Sequence, residues 1–263
     1  MKKTLRSAML STICMLVVAV MSLTGVTYAW FTQSETADVT GMTMNVAAAN
    51  GGFMVSKDKT NWTASVDFAA ETEKALNPVS TVDAVNFFTA VVDTSVASGN
   101  TITATKTTEN IWTNTFFAKN TGDTEVTVYL EQGAIFSDKT TTDAKESYKA
   151  ARIAIFTRPE NGDYTLQYIW GNAESNLGVK AEGKITDRLT SDNTNIANVE
   201  KLQTELKNCK FTLPGLSNGV EQIIEVKVVV WVEGQDVDCI NKNAGDVFTV
   251  ALDLTTHEPT AQN

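Results

Sequence analysis

The stretch IEVKVVVWVE, residues 224–233, decides the fold class. Its even positions are Ile224, Val226, Val228, Val230 and Val232, all aliphatic. Its odd positions are Glu225, Lys227, Val229, Trp231 and Glu233. A period of two places the sets on opposite faces of a pleated strand. β-branched residues suit that half-buried surface. One clean apolar face predicts an antiparallel sheet with one buried side and one wetter side.

The same period recurs outward from this strand. Phe248, Val250, Leu252 and Leu254 alternate with Thr249, Ala251 and Asp253. Met42, Met44 and Val46 alternate with Thr43 and Asn45. Trp112, Asn114, Phe116 and Ala118 share a face, and a turn at Asn120–Asp123 leads to Val126, Val128 and Leu130. These two runs predict a hairpin. A second hairpin joins Ile153 and Ile155 to Leu166, Tyr168 and Trp170 through a turn containing Asn161-Gly162, with the last three on one face. Asn and Gly tolerate the positive φ of tight turns. The Thr-rich run Thr101–Thr108 fits an edge strand or an exposed loop. Short helices are expected at Thr142–Ala151 and at Asn195–Asn208, where Ile196, Val199, Leu202 and Leu206 recur at three to four residues. Residues 171–208 then form an insertion, and the tail after Thr256 is loose. The expectation is all-β: an antiparallel sandwich with one or two short helices in insertions.

Lys2, Lys3 and Arg6 precede an apolar run from Ala8 to Leu23, and Thr27-Tyr28-Ala29 follows. This is the layout of a secretory signal peptide cut between Ala29 and Trp30. The alternative, a retained anchor, fits less well because the run is near the lower limit for a span. Cleavage would leave residues 30–263 as a single domain of 234 residues, with a free β-prone arm over residues 30–41. The leader holds three basic and no acidic residues, so the remainder carries 18 Lys and Arg against 31 Asp and Glu, a net charge of −13. That balance opposes binding to nucleic acid and to anionic membranes. Cys14 goes with the leader. Cys209 and Cys239 remain, and export permits either a disulfide between them or two buried thiols.

Catalytic machinery is not evident in the sequence. The single histidine, His257, lies in the tail. Zinc hydrolysis and nucleophile–base pairs need imidazoles or equivalent bases held in place. Asp236 and Asp238 are the remaining carboxylate pair, readable as a solvated turn, a calcium site or an acid–base pair. Trp62, Trp112, Trp170 and Trp231 admit sugar stacking, though core packing is the commoner use of such rings. Asn61-Trp62-Thr63 matches a glycosylation sequon. No catalytic, metal or cofactor residue is expected.

Thr27-Tyr28-Ala29-Trp30-Phe31-Thr32 resembles the signal-peptide end of the TasA/camelysin group of exported Gram-positive proteins. Three further pieces resemble that group in order: Phe53–Ser56 leading to Asn61-Trp62-Thr63, Phe117–Asp123 followed by Val126–Leu130, and Val230–Gly234 with Asp238-Cys239. The resemblance implies a jelly-roll-like sandwich, export through a SipW-type signal peptidase, and self-association into fibres of a biofilm matrix or cell-surface layer. It also implies subunits joined by a donated N-terminal strand, here drawn from Trp30 to Val46 and including Trp30, Phe31 and Val39; the alternative is that Met42, Met44 and Val46 pair within their own domain. An adhesin or carbohydrate-binding module is the alternative expectation, and a secreted hydrolase is a third. The zinc ligands of a metalloprotease have no counterpart here, so that activity is not carried over.

Overall fold

The computed structural model describes residues 37–47, 52–68, 74–81, 83–93, 101–137, 149–171, 202–203, 205–234, 239 and 247–259. Fourteen strands follow in chain order. They are β1 (Ala37–Ala47), β2 (Phe53–Ser56), β3 (Ser65–Asp67), β4 (Lys74–Leu76), β5 (Phe87–Asp93), β6 (Thr101–Thr107) and β7 (Trp112–Asn120). Then come β8 (Val126–Ser137), β9 (Ala151–Pro159), β10 (Thr165–Gly171), β11 (Leu202–Gln203), β12 (Lys210–Leu213), β13 (Ile223–Val232) and β14 (Val247–Thr255). The first sheet runs β12-β8-β14-β1-β3, with β4 also on β1. The second runs β11-β10-β9-β13-β7-β2, and β5-β6 stand as a separate pair. Most pairings are antiparallel; β1–β14 and β10–β11 are parallel. The chain is an all-β sandwich.

The main core fills the space between the sheets. From β13 it takes Ile224, Val226, Val228, Val230 and Val232, the even face legible in the sequence. Val250, Leu252 and Leu254 of β14 and Val128 and Leu130 of β8 meet them from the first sheet. The odd face of β13 is not wet along its whole length. Val229 and Trp231 enter a second cluster with Val79, Ala84, Phe87, Ala154, Phe156 and Ile169. Trp231 is 1% exposed. The cover is a strap formed by residues 79–81 and 83–88. Val79 N–H donates to Val232 O at 3.0 Å, and Gly234 N–H to Val79 O at 3.0 Å. Phe87 meets Trp231 edge-on, with centroids 5.5 Å apart, a favoured geometry for two ring quadrupoles.

Three other expectations are corrected. The runs at Trp112–Asn120 and Val126–Ser137 are not a hairpin: β7 lies in the second sheet and β8 in the first. Their link is a corner. Asn120 builds it by donating Nδ2–H to Thr124 O at 2.7 Å and accepting Gly122 N–H at 2.9 Å. Gly215 buttresses it, because a Cβ there would fall 2.5 Å from Asp123 O. In the true hairpin β9–β10, the register shifts between Leu166 and Tyr168. Tyr168 and Trp170 therefore join the main core while Leu166 packs on the second cluster. A bulge turns side chains to the other face in this way.

No α-helix occurs among the described residues. Leu202–Gln203 forms β11 on β10, Leu206–Asn208 is a single 3-10 turn, and Ala151 opens β9. Backbone pairing of Leu202 with β10 outweighed the helical spacing of Leu202 and Leu206. Residues 142–148 and 195–201 lie outside the described residues.

Trp231→Ala should lower the unfolding free energy by about 3–5 kcal/mol, the cost of a large cavity at a buried ring. Urea denaturation followed by far-UV circular dichroism measures it. A loss under about 1 kcal/mol, normal for a surface site, would mean that the strap leaves the odd face of β13 open.

Candidate functional site

β1 and β14 meet along a seam between the beginning and the end of the described chain. They pair in parallel from Asp38↔Val247 to Ala47↔Thr255, with a register shift between Val39 and Gly41. On the other edge of β1, β3 covers only Thr43–Asn45 and β4 only Ala37–Val39. Met42 is fully buried, and its carbonyl accepts Phe68 N–H at 2.8 Å. Val39 thus lies within a sheet of its own chain. Ala29, Trp30 and Phe31 lie outside the described residues, as do Asp236 and Asp238.

Two carboxylates that the sequence reading did not single out are bound up in turns. Ser56-x-Asp58-x-x-Asn61 and Thr81-x-Asp83-x-x-Asn86 repeat one six-residue pattern. Asp58 Oδ1 accepts N–H from Thr60 and Asn61 at 2.8 Å each, and Asp83 Oδ1 accepts from Val85 at 2.9 Å and Asn86 at 2.7 Å. Each Oδ2 takes the Asn side-chain N–H, at 2.8 and 2.6 Å. The residue after each Asp has positive φ: Lys59 at 62° and Ala84 at 54°. The backbone hydrogen bonds to Asn61 and Thr60 hold the Asp58 carboxyl far below its ordinary range. Burial pushes Asp83 up, but the N–H groups of Asn86 and Val85 and the side chains of Asn86 and Thr81 outweigh it and hold it low. These carboxylates stabilise turns. The first turn shapes the loop after β2, and the second forms the strap over Trp231. The repeated spacing was the available signal.

The outer face of the second sheet carries a cluster of cations on rings. Glu225 of β13 is clasped by Arg158 of β9 and accepts the Tyr164 hydroxyl proton at 2.6 Å. Burial raises the Glu225 carboxyl, and those two hydrogen bonds reverse the shift and lower it. Burial and the bond to Glu225 push Tyr164 up to about 12. Lys227 lies 4.1 Å from the Tyr164 ring centroid and 4.4 Å from that of Phe156. Burial lowers its pKa, and Arg158 adds to the effect.

Of the four tryptophans, Trp112, Trp170 and Trp231 are buried, which removes their faces from any sugar. Trp62 is half-buried, with Lys119 Nζ 4.4 Å from its ring centroid. No disulfide joins Cys209 to Cys239. Both pack on the main core, and burial pushes the Cys209 thiol up to about 12. His257 sits in the turn after β14, its backbone N–H donating to Thr255 Oγ1 at 3.1 Å. Among the described residues no group of three or more His, Cys, Asp or Glu converges on a point that could hold a metal. No described helix is long and apolar enough to cross a membrane.

Comparison with protein-family models, with curated proteins and with solved structures gives no match.

Asp83→Asn should cost about 1–2 kcal/mol at pH 7, the value of a carboxylate satisfying a turn. A carboxyl depressed in the folded state stabilises above its unfolded pKa of about 3.9 and loses that contribution as pH falls through its lower folded value. The variant should therefore lag the native chain at pH 7 and converge with it once the pH lies below the depressed folded pKa. Urea midpoints from pH 2 to 8 report this, and a constant difference across the range would refute the role given to the carboxylate.

Proposed function

We propose that the chain is an exported structural subunit of an extracellular matrix, biofilm fibre or cell-surface layer, assembling by homotypic contacts through its N-terminal strand. The observation that carries this is the seam. β1 is the first described strand, runs parallel to the last one, and is held on its far edge by two three-residue partners. A terminal strand can leave its sheet without unthreading the rest of the chain. Its departure would open the hydrogen-bonding edge of β14, which is next to β1 in the sheet. An identical strand from a neighbour then satisfies that edge in the same register. Exchange of identical elements between protomers costs little, because the native contacts are remade. Repeated in one direction, it gives a fibre. The leader-like segment Lys2–Ala29 and the acidic balance of the chain suit export, with a SipW-type signal peptidase as the processing partner.

The test uses the register itself. Val39 and Phe248 are partners across the seam. The double variant Val39→Cys with Phe248→Cys is collected after export, allowed to assemble, oxidised and run without reductant. Donated strands should yield a ladder of covalent multimers, and electron microscopy should show filaments. Monomers alone, with no filaments across pH and salt, would sink the proposal.

A further inference from the structure

Two strands stand apart from both sheets. β5 and β6 pair with each other from Phe87↔Thr107 to Asp93↔Thr101, with no register shift. One contact fixes which of their backbone groups face outward. Ser80 N–H donates to Phe88 O at 2.9 Å, and Phe88 N–H donates to Ser80 O at 3.0 Å. Phe88 thus directs both its groups at the strap, and successive residues of a strand direct theirs to opposite edges. Phe87, Thr89, Val91 and Asp93 therefore bond across to Thr107, Thr105, Thr103 and Thr101. Ile102, Ala104 and Lys106 turn theirs to the far edge of β6, where no described strand pairs.

That edge lacks the usual guards. Proteins blunt edge strands with charge, proline, a bulge or shortness. β6 has seven residues, and its ladder holds no bulge. Residues 94–105 contain neither proline nor a charged residue. Lys106 is the one charge in the strand, and its Nζ donates to Asn86 Oδ1 of the strap. Other edges differ. β11 has two residues, β3 and β4 three each, and β12 four. The edge of β2 is met by Thr63, which exchanges two backbone bonds with Val55 at 2.9 Å each. Ser80 blocks one end of the β5 edge. A two-stranded ribbon is marginal by itself, so an added strand would stabilise it.

We infer that β6 pairs antiparallel with β6 of a second copy of this chain, about a two-fold axis through Ala104. The outward residues select both partner and register. Centred on Ala104, the two strands set Ala104 on Ala104 and Ile102 on Lys106, so every outward residue is matched. A two-fold centred on any other residue leaves at least one of the three without a counterpart in β6. The chain's net charge of −10 opposes contact between copies, and residues 94–105 bring no acidic group to this one. The contact is isologous and stops at two copies, whereas strand exchange at β1 is open-ended, and neither requires the other.

Cross-linking tests the axis. Ala104→Cys is collected after export, oxidised and run on a denaturing gel without reductant. A hydrogen-bonded antiparallel pair holds its Cα atoms about 5.5 Å apart, within disulfide reach. A covalent dimer and nothing larger is expected. Thr101→Cys should give none, because two copies of that position lie about 20 Å apart along the strands. The native chain, with Cys209 and Cys239 alone, should give none either. Sedimentation of dilute chain then reads affinity. Ala104→Pro removes an outward N–H and spares the bonds to β5. It should melt like the native chain and weaken the dimer about tenfold or more. Ala104→Lys and Ala104→Glu should each lose the dimer, and an equal mixture should regain it, because like charges meet at the axis in one case and opposite charges in the other. Misfolded chains would show no such rescue. No Ala104→Cys dimer, an equal yield from Thr101→Cys, or no rescue in the mixture would overturn the inference. So would amide protection at Ile102 and Ala104 that persists unchanged on dilution, which would mean that the chain covers this edge itself. Strand exchange is read separately, by the Val39–Phe248 ladder in the Ala104→Pro background, so either contact can fail while the other stands.

Discussion

β13 is hydrogen-bonded on both edges and covered on much of both faces, and the remaining architecture follows from that constraint. Its neighbours β7 and β9 satisfy its backbone groups over nearly its whole length. Its even side chains need the first sheet above them. Val229 and Trp231 need a second cover below, which the strap and Phe87 supply. A strand in this position tolerates few polar residues. The polar ones, Glu225 and Lys227, lie toward the end that the strap leaves open, and there they make a charged and aromatic surface in place of a core.

Polar side chains mostly serve the backbone. Asp58 and Asp83 each gather N–H groups from a tight turn with a left-handed residue at its centre. Asn120 does the same at the corner between the sheets. These turns have no ladder of their own, so a side-chain acceptor replaces the bonds that a strand would have made. Their carboxylates are thereby committed, and a group held by several N–H donors is a poor proton donor near neutral pH. Among the described residues, the outer face of the second sheet carries cations stacked on rings beside the Arg158–Glu225 pair.

Alternation is a local property, and over residues 224–232 and 248–254 the sequence alone marked the strands and named their core faces, because successive side chains must point opposite ways. The turn at Asn161-Gly162 was legible for the same kind of reason, since Asn161 takes a φ of 65°. Only the tertiary structure decided which strands pair. Asn120–Asp123 has residues fit for a hairpin or for a corner, and contacts from Gly52, Gly215 and Leu216, distant in sequence, make it a corner. Leu202 and Leu206 repeat at helical spacing, yet an open edge on β10 draws Leu202 into a ladder. The mixed odd face of β13 gave no local sign that a strap carrying Val79, Ala84 and Phe87, far upstream in the chain, buries Trp231. The parallel union of β1 with β14 joins the two ends of the described chain, and no window of sequence contains both. Period and turn chemistry act over a few residues, whereas sheet partnership and burial depend on what the rest of the chain brings alongside.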